Sequence, residues 1–208
     1  MLDKLPTSVS IYEVSPRDGL QNEAAQVATH AKVRLIDALA DAGCKRIEVT
    51  SFVSPKWVPQ MADGDQVCQM FERREGVTYS ALVPNRRGLD RAVAAGVDEV
   101  AVFISASETH NRKNVNKTID QTLKAFEPVV GPAVEMGKAV RGYVSTMWGC
   151  PYEGDVDPER GLAIAQQLLD AGCYQVSLGD TIGVGTPLQT RRIVELFLKH
   201  IEAEKIAL

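Results

Sequence analysis

Residues 41–50 read DAGCKRIEVT, in which a glycine ends a helix-like segment and a β-branched run follows directly. The same order returns at residues 94–104, 135–144 and 170–178. A glycine just past a helix end takes the left-handed conformation that stops the helix, and a short apolar run is typical of a buried parallel strand. These four stretches are therefore predicted junctions between a helix and the next strand of a parallel sheet.

Two more apolar runs, 9–14 and 77–83, bring the predicted strands to six, each followed by a candidate helix. The helices are expected near residues 29–42, 60–73, 86–95, 117–136, 158–171 and 187–204. Repeats of roughly 30 to 45 residues fit a (β/α)8 TIM barrel, and no Gly-x-Gly-x-x-Gly segment follows the first strand to favour a dinucleotide fold. We therefore predict an α/β protein with a single catalytic TIM-barrel domain over residues 1–208.

Six βα units precede residues 206–208, which are predicted to begin a seventh strand. A closed barrel of this type needs eight strands. The chain is thus expected to be a truncated barrel that lacks strands seven and eight, with the missing part in a longer parent or in a partner chain. An unpaired sheet edge would also favour association.

Composition favours a small-molecule partner. The 208 residues carry a formal charge of -4 and no basic run, which argues against nucleic acid or an anionic membrane. The four cysteines form no Cys-x-x-Cys pair, no hydrophobic signal precedes the first predicted strand, and no apolar stretch is long enough for a bilayer. We expect a reduced, soluble, cytoplasmic chain.

A polar segment, SPRDGLQNE at residues 15–23, follows the first predicted strand, where an α/β fold places its chemistry. Arg17 offers a planar fork of donors for a carboxylate, thioester or enolate oxygen, and Asp18 offers oxygens for a divalent cation. A structural interpretation is equally open here, in which the two residues form a turn pair and Asp18 makes an Asx turn before Gly19.

Polar residues also follow the carboxyl ends of other predicted strands, so they are expected to converge on one face of the fold. They are Glu48, Thr50 and Ser51 at the second strand, Asn85 at the third, Ser105, Ser107, Glu108, Lys113 and Asn114 at the fourth, and Asp180 and Thr181 at the sixth. Purely structural turns do not require so many polar groups. The convergence favours an active site.

Four segments resemble the 3-hydroxy-3-methylglutaryl-CoA lyase family, within the metal-dependent, pyruvate-carboxyltransferase-like barrel superfamily. They are residues 15–23, 50–61 (TSFVSPKWVPQM), 149–154 (GCPYEG) and 177–186 (SLGDTIGVGT). The pattern Arg-Asp-Gly-x-Gln alone would match the whole superfamily, including the condensing isopropylmalate and homocitrate synthases. The run SFVSPKWVPQ narrows the resemblance to the lyases.

The resemblance implies metal-dependent retro-Claisen cleavage of 3-hydroxy-3-methylglutaryl-CoA to acetyl-CoA and acetoacetate, with Mg2+ or Mn2+ as the divalent cation. It implies that Asp18 is a metal ligand, that Arg17 stabilises the enolate or thioester oxygen, and that Glu48 supports Arg17 and the metal shell. The implied substrate-binding residues are Arg17, Gln21, Ser51, Asn114, Ser177, Asp180 and Thr181. An acyl-CoA is the expected partner, and a homodimer is implied for the full-length enzyme.

Two parts of the family pattern are missing from residues 1–208: a His-x-His at the end of the seventh strand and a Gly-Gly-Cys-Pro segment after the eighth. His30, His110 and His200 are isolated from one another and are interpreted as surface or loop residues. Since Asp18 alone cannot hold Mg2+ tightly, the 208-residue chain is expected to lack lyase activity.

Three further features admit a structural or a functional interpretation. Cys150 lies in the family's fifth-strand segment and is predicted to pack at a tight turn rather than to take part in catalysis. Trp57, flanked by prolines, is interpreted as a packing anchor in preference to an adenine platform. Arg112, Lys113 and Lys117 fit CoA phosphates or a solvated helix start equally well.

Three hypotheses about function follow. The chain is a hydroxymethylglutaryl-CoA lyase whose C-terminal part lies elsewhere, or a superfamily enzyme of another reaction. The second group includes condensing synthases and lyases for a related 3-hydroxyacyl-CoA. The third hypothesis is an inactive fragment or interaction module that lacks the complete metal site.

Overall fold

The computed structural model describes residues 8–208, so the predicted domain 1–208 includes residues 1–7 that lie outside the described part. Its α-helices are α1 (Thr29–Asp41), α2 (Gly64–Met70), α3 (Arg86–Ala94), α4 (Glu108–Val115), α5 (Ile119–Glu135), α6 (Pro158–Asp170) and α7 (Pro187–Phe197). Its strands are β1 (Arg46–Ser51), β2 (Thr78–Leu82), β3 (Glu99–Ser105), β4 (Ala139–Ser145), β5 (Gln175–Leu178) and β6 (Ile206–Ala207). Within residues 8–208, no helix combines the length and apolarity needed to cross a membrane.

The strands form one sheet in chain order, from β1 to β6. The pairs β1–β2, β2–β3, β4–β5 and β5–β6 are all parallel. Parallel neighbours need a crossover between them, and here helices supply it. The predicted α/β class is confirmed, and β6 pairs Ile206 with Val176 of β5, as expected for the start of a further strand.

The predicted junctions between helices and strands are confirmed by backbone geometry. Gly43, Gly96, Gly137 and Gly172 follow α1, α3, α5 and α6, and each has a positive φ. Gly43, for example, has φ 98°, which a residue with a Cβ rarely adopts. The glycines thus end the helices and return the chain to the sheet within a few residues.

The chain divides into two compact units, residues 8–101 and 102–208. In the first, α1 and α2 pack on β1, and Ile36, Ile47, Val49 and Leu89 are buried in its core. Strand β1 is buried along most of its length, as parallel strands covered on both faces are. The single-domain expectation stays a prediction.

In the unit of residues 102–208, α5 and α6 pack on β4. Val129, Val144, Leu168 and Val176 are almost fully buried there. Helix α5 begins with a capping box in which Thr118 and Gln121 satisfy each other's backbone N–H groups, and Thr186 and Gln189 do the same for α7. The capping boxes therefore fix the first residues of α5 and α7.

The predicted first strand, 9–14, is wrong for most of its length. Only Glu13 makes a β-bridge, parallel to Ile47, and Val9 and Ile11 are 80% and 64% exposed. Because these apolar side chains are not buried, a continuous ladder would gain little from them. Instead the Tyr12 hydroxyl lies 2.7 Å from Glu99 Oε1 and anchors the segment through its side chain.

Other differences concern helix ends and loops. The helix expected at 60–73 is a 3-10 turn, Pro59–Met61, followed by α2, and the helix expected at 187–204 ends at Phe197. Helix α4 was not predicted, because its eight residues are almost all polar and show no apolar stripe. Its Ser107 cap, which accepts from His110 N–H at 3.0 Å, is the local signal for it.

Candidate active site

Arg17 lies at the centre of a polar cluster in the unit of residues 8–101. It sits on a single π-helical turn, Ser15–Gly19, which a bond from Leu20 N–H to the Ser15 carbonyl closes. The residue is only 8% exposed, and its guanidinium donates through Nε to Glu48 and through Nη1 to Asp18 Oδ1 at 2.7 Å. Two carboxylates therefore fix the plane of a buried cation.

The local sequence explains how this turn forms. Pro16 stands at its beginning, where a missing N–H leaves no acceptor unsatisfied. The bridge between Glu13 and Ile47 brings the preceding residues alongside β1, which carries Glu48. Strand β1 has an irregularity here, a register shift between Glu48 and Thr50. The π-turn therefore lies beside a β-strand irregularity, and both features are frequent at functional sites.

The predicted site residues near Arg17 differ in exposure. Glu48 is fully buried, whereas the Asp18 side chain is 52% exposed. Gln21 donates its amide N–H to Asp18 Oδ1 at 2.8 Å, so it orients this carboxylate. Ser51 is buried at the carboxyl end of β1, and its hydroxyl accepts the Val53 N–H at 3.3 Å. The structure therefore brings Arg17, Asp18, Glu48 and Gln21 into one connected group.

Ser177, Asp180 and Thr181 lie on β5 and in the loop after it, in the unit of residues 102–208. Both carboxylate oxygens of Asp180 accept backbone N–H groups of its own loop, from Val184 at 3.1 Å and from Gly185 at 2.8 Å. The Thr181 hydroxyl accepts the Thr146 N–H at 2.8 Å. These contacts give Asp180 and Thr181 loop-shaping roles. Ser177 is 8% exposed on β5.

Replacing Asp180 with asparagine should loosen this loop. An amide nitrogen cannot accept the N–H that one carboxylate oxygen now accepts, so either Val184 or Gly185 loses its partner. We expect hydrogen exchange of the amide that loses its partner to speed up roughly fivefold, which corresponds to about 1 kcal/mol for one such bond. Exchange measured by NMR checks this, with D155N, at an exposed aspartate, as control. Unchanged exchange in D180N would contradict the loop-shaping role.

Asn114 lies exposed on α4, and the neighbouring basic residues are occupied locally. Arg112 donates to Glu108 at 2.9 Å one helical turn away, and the Lys113 ammonium lies 4.5 Å from the centroid of the Tyr152 ring. Lys117 is exposed, and its carbonyl accepts from Asn111. These contacts favour the solvated helix interpretation of the basic cluster over a phosphate site.

Two of the polar residues predicted to converge, Ser105 and Ser107, belong to a buried hydroxyl network in the unit of residues 102–208, together with Thr146, which the sequence did not single out. Ser105 Oγ lies 2.7 Å from Thr146 Oγ1, and the Ser107 N–H donates to both hydroxyls. Ser107 Oγ in turn lies 3.0 Å from Cys150 Sγ. Thr146 has a positive φ of 63° although it is not a glycine, so its residue type carried no signal of this conformation.

The surroundings of the cysteines and of Trp57 show whether these side chains are packed or exposed. Cys150 is buried at a turn where its N–H and carbonyl pair with Gly154, which supports the predicted packing role. Burial raises the pKa of Cys68 and of Cys173 to about 12, so both thiols stay protonated and unreactive at neutral pH. Trp57 is 86% exposed, and its interpretation as a packing anchor is therefore wrong. The flanking prolines stiffen the loop without burying the ring.

The Arg17 cluster can supply one ligand to a divalent cation. Among residues 8–208, no group of three or more His, Cys, Asp or Glu side chains is arranged to hold a metal ion. Asp18 has the hard, half-exposed carboxylate that Mg2+ and Mn2+ prefer, and its Oδ1 accepts from Arg17 and Gln21. Glu48 is fully buried beside Arg17. Asp18 thus fits such a cation, but as a single ligand.

Comparison with known proteins gives consistent matches over nearly the whole chain. The HMGL-like family model matches residues 8–208. A Pseudomonas aeruginosa protein named 3-hydroxy-3-isohexenylglutaryl-CoA/hydroxy-methylglutaryl-CoA lyase is 50% identical over 98% of this chain and 68% of its own length. A zebrafish protein named 3-hydroxy-3-methylglutaryl-CoA lyase, cytoplasmic, is 52% identical over 99% of this chain and 62% of its own.

Solved structures agree. The crystal structure of hydroxymethylglutaryl-CoA lyase from P. aeruginosa has a TM-score of 0.94 at 50% identity and matches 97% of this chain and 67% of that one. An HMG-CoA lyase from Acinetobacter baumannii in complex with coenzyme A and 3-methylmalate has a TM-score of 0.90 at 38% identity, over 95% and 64% of the two chains. This chain thus spans about two thirds of the length of the proteins it matches. Its strands and helices follow those of their TIM barrels, so the predicted barrel architecture is confirmed over this part.

Proposed function

Because the chain belongs to the HMGL-like family, we propose that it carries the arginine and aspartate half of a 3-hydroxy-3-methylglutaryl-CoA lyase site. The reaction is the retro-Claisen cleavage of this thioester to acetyl-CoA and acetoacetate. One observation carries the proposal, namely the Arg17 guanidinium held between Glu48 and Asp18. A buried, oriented cation is what a developing enolate oxygen requires.

Cleavage requires a group that stabilises the negative charge on the thioester oxygen and that is already in position before the reaction. When the C2–C3 bond breaks, electrons move toward the thioester carbonyl, whose oxygen gains charge as the acetyl-CoA enolate forms. Arg17 would bind this oxygen, because its plane is already fixed by two carboxylates and it is shielded from water. Glu48 acts through Arg17 as a positioning residue. In the same step the C3 hydroxyl loses its proton to a general base, and its oxygen becomes the ketone of acetoacetate. Transfer of a proton to the enolate carbon then completes acetyl-CoA.

The HMGL-like family is a metal-dependent lyase family, and we propose Mg2+ or Mn2+ as the ion. Such an ion supplies Lewis acidity that lowers the pKa of the tertiary C3 hydroxyl of the substrate. Asp18 would hold it, with Gln21 keeping the carboxylate oriented. Ser51, Asn114, Ser177, Asp180 and Thr181 remain proposed substrate-binding residues, of which Asp180 and Thr181 act by shaping their loop.

Metal affinity of the 208-residue chain should be low and should depend on Asp18. One carboxylate falls short of the several oxygen or nitrogen ligands that a tight octahedral site uses, so we expect a Kd for Mn2+ weaker than about 10⁻⁴ M. D18N should weaken binding further, whereas D37N, at a carboxylate on α1, should not. Calorimetry or electron paramagnetic resonance of added Mn2+ gives both values. Micromolar binding that survives D18N would place the ion elsewhere.

The remaining partner proposals follow the relatives. We propose an acyl-CoA substrate, as the A. baumannii complex with coenzyme A supports, and a homodimer for the complete gene product. Relatives are named both cytoplasmic and mitochondrial, and we propose a cytoplasmic location.

The function is tested by substrate comparison on the complete gene product. Purified protein with Mg2+ or Mn2+ is offered 3-hydroxy-3-methylglutaryl-CoA, 3-hydroxy-3-isohexenylglutaryl-CoA, or acetyl-CoA with a 2-oxo acid. We expect acetoacetate and acetyl-CoA from the first substrate in equal amounts. Faster cleavage of the isohexenyl substrate would reassign the acyl group, and release of free CoA from the third mixture alone would indicate a condensing synthase. The 208-residue chain, assayed beside it, is expected to show no cleavage.

A further inference from the structure

We propose that Glu153 is a positioning residue of the lyase site, which fixes helix α4 and with it Asn114, an inference that rests on the proposed function. Glu153 lies in a turn after β4, and its Oε1 accepts the Thr109 N–H at 2.7 Å. Thr109 is the second residue of α4, and Asn114 lies further along the same helix. Glu153 therefore holds the first turn of the helix that carries a proposed substrate-binding residue.

Helix α4 depends on polar contacts for its place in the fold. Among its eight residues only Asn111 is buried, so apolar packing contributes little to the position of the helix. The Asn111 side chain accepts the Ser105 N–H at 3.1 Å and donates to the Lys117 carbonyl at 2.9 Å. These two bonds tie the middle of the helix to the segments on either side of it. A helix this short is marginal by itself in water, so contacts from elsewhere must hold its first turn.

The first turn of α4 has two acceptors for its N–H groups. The Ser107 hydroxyl accepts the His110 N–H at 3.0 Å, which is a local cap. Glu153, in contrast, accepts the Thr109 N–H from a segment 44 residues further along the chain. Hydrogen bonds from the Thr109 hydroxyl and N–H keep the pKa of the Glu153 carboxyl below its ordinary value. A charged carboxylate therefore lies at the positive end of the helix dipole.

The turn that carries Glu153 is closed by its own hydrogen bonds. Cys150 and Gly154 exchange backbone hydrogen bonds of 2.8 and 2.9 Å, and Gly154 has a φ of 75°. Cys150 Sγ accepts the N–H groups of Tyr152 and Glu153, each at 3.4 Å. Glycine in the left-handed conformation is typical of such a three-residue loop. Because these contacts fix the backbone of the turn, Glu153 gives α4 a fixed point of attachment.

Tyr152, the neighbour of Glu153, contacts the same helix. The Lys113 ammonium lies 4.5 Å from the centroid of the Tyr152 ring, and the centroid of the His110 ring lies 6.1 Å from it. His110 and Lys113 are three residues apart, so they share one face of α4. The turn thus contacts α4 at its start and again next to Asn114. Two separate contacts define the direction of the helix, and loss of Glu153 would leave one of them.

Steady-state kinetics of the complete gene product test this assignment. We expect E153A to raise KM for 3-hydroxy-3-methylglutaryl-CoA about tenfold, because Asn114 is no longer held in place, and to leave kcat within about threefold. E153Q keeps an oxygen that can accept the Thr109 N–H, so it should restore KM to within about threefold of the parent value. E127A, at an exposed glutamate on α5, is the matched control and should change both constants by less than about twofold.

A double variant shows whether Glu153 acts through Asn114. N114A alone should also raise KM, and E153A/N114A should have the same KM as N114A, because the group that Glu153 positions is already gone. Hydrogen exchange of the α4 amides gives a second measurement that does not depend on activity. This exchange should speed up about tenfold in E153A and stay at the parent rate in E127A.

The possible results separate this inference from the proposed function. If the parent protein cleaves the substrate but E153A or N114A keeps the parent KM, Glu153 does not position Asn114, and the lyase proposal stands. KM increases that multiply in E153A/N114A would also overturn the inference, since the two residues would then act independently. A parent protein that cleaves no 3-hydroxy-3-methylglutaryl-CoA would refute the proposed function, and the inference with it.

Discussion

Replacing Arg17 with lysine should lower kcat for cleavage of 3-hydroxy-3-methylglutaryl-CoA by about 10²–10³-fold, with KM little changed. Lysine keeps the charge but loses the planar fork, so it cannot donate to Glu48, Asp18 and a substrate oxygen in the same plane. The group acts on charge that develops in the transition state, and its loss therefore falls on kcat. Steady-state kinetics of the complete gene product give both constants.

A matched control comes from the same unit of the molecule. Arg34 lies exposed on α1, and R34K should leave both constants within about twofold. Circular dichroism spectra of the two variants should coincide with that of the parent protein. An R17K enzyme that retains full kcat would remove Arg17 from the chemical step, and the account of the enolate would fail with it.

Replacing Glu48 with alanine should lower the free energy of unfolding by about 3–5 kcal/mol. Glu48 is fully buried and accepts from a guanidinium that is itself only 8% exposed, so the change leaves a buried positive charge with one carboxylate fewer. For a protein of this size the melting temperature should fall by roughly 10 °C. Denaturant titration measures the free energy, and E23A, at an exposed glutamate, should change it by less than about 0.5 kcal/mol.

A double variant separates stability from activity at this pair. R17M/E48L replaces both charges by apolar side chains of similar volume, so the folding free energy should recover most of what E48A loses. Cleavage should be abolished in R17M/E48L, because the oriented cation is gone. Full stability in E48A alone would show that the ion pair contributes little to the fold and would weaken the argument that Glu48 fixes Arg17.

Much of the fold follows from short-range signals. Glycines 43, 96, 137 and 172 marked the ends of helices, because a left-handed residue before a β-branched run has few alternatives. The strand predicted at 9–14 was wrong, because alternation of apolar and polar residues indicates a strand only if one face becomes buried. Val9 and Ile11 are exposed. Helix α4 was not predicted, because its residues are almost all polar and form no apolar stripe. Its capping residue was the one local signal for a helix.

The proximity of three candidate site residues was predictable from their residue types and their positions after predicted strands. Arg17, Asp18 and Glu48 were expected together, and the structure joins them by direct hydrogen bonds. Asp180 holds the shape of its own loop by accepting backbone N–H groups four and five residues further along the chain. The residue type alone does not indicate this role. The hydroxyl network around Thr146 depends on a left-handed threonine, a conformation without a signature in sequence.

The central claim is that Arg17, fixed by Glu48 and Asp18, serves carbon–carbon cleavage of an acyl-CoA. The most direct test is a product assay on the complete gene product with Mg2+ or Mn2+, in which acetyl-CoA and acetoacetate are both quantified for the parent protein and for R17K. We predict equal amounts of the two products from the parent protein and a loss of about 10²–10³-fold in R17K. Cleavage that proceeds equally well in both proteins, or no acetoacetate from the parent protein, would contradict the claim.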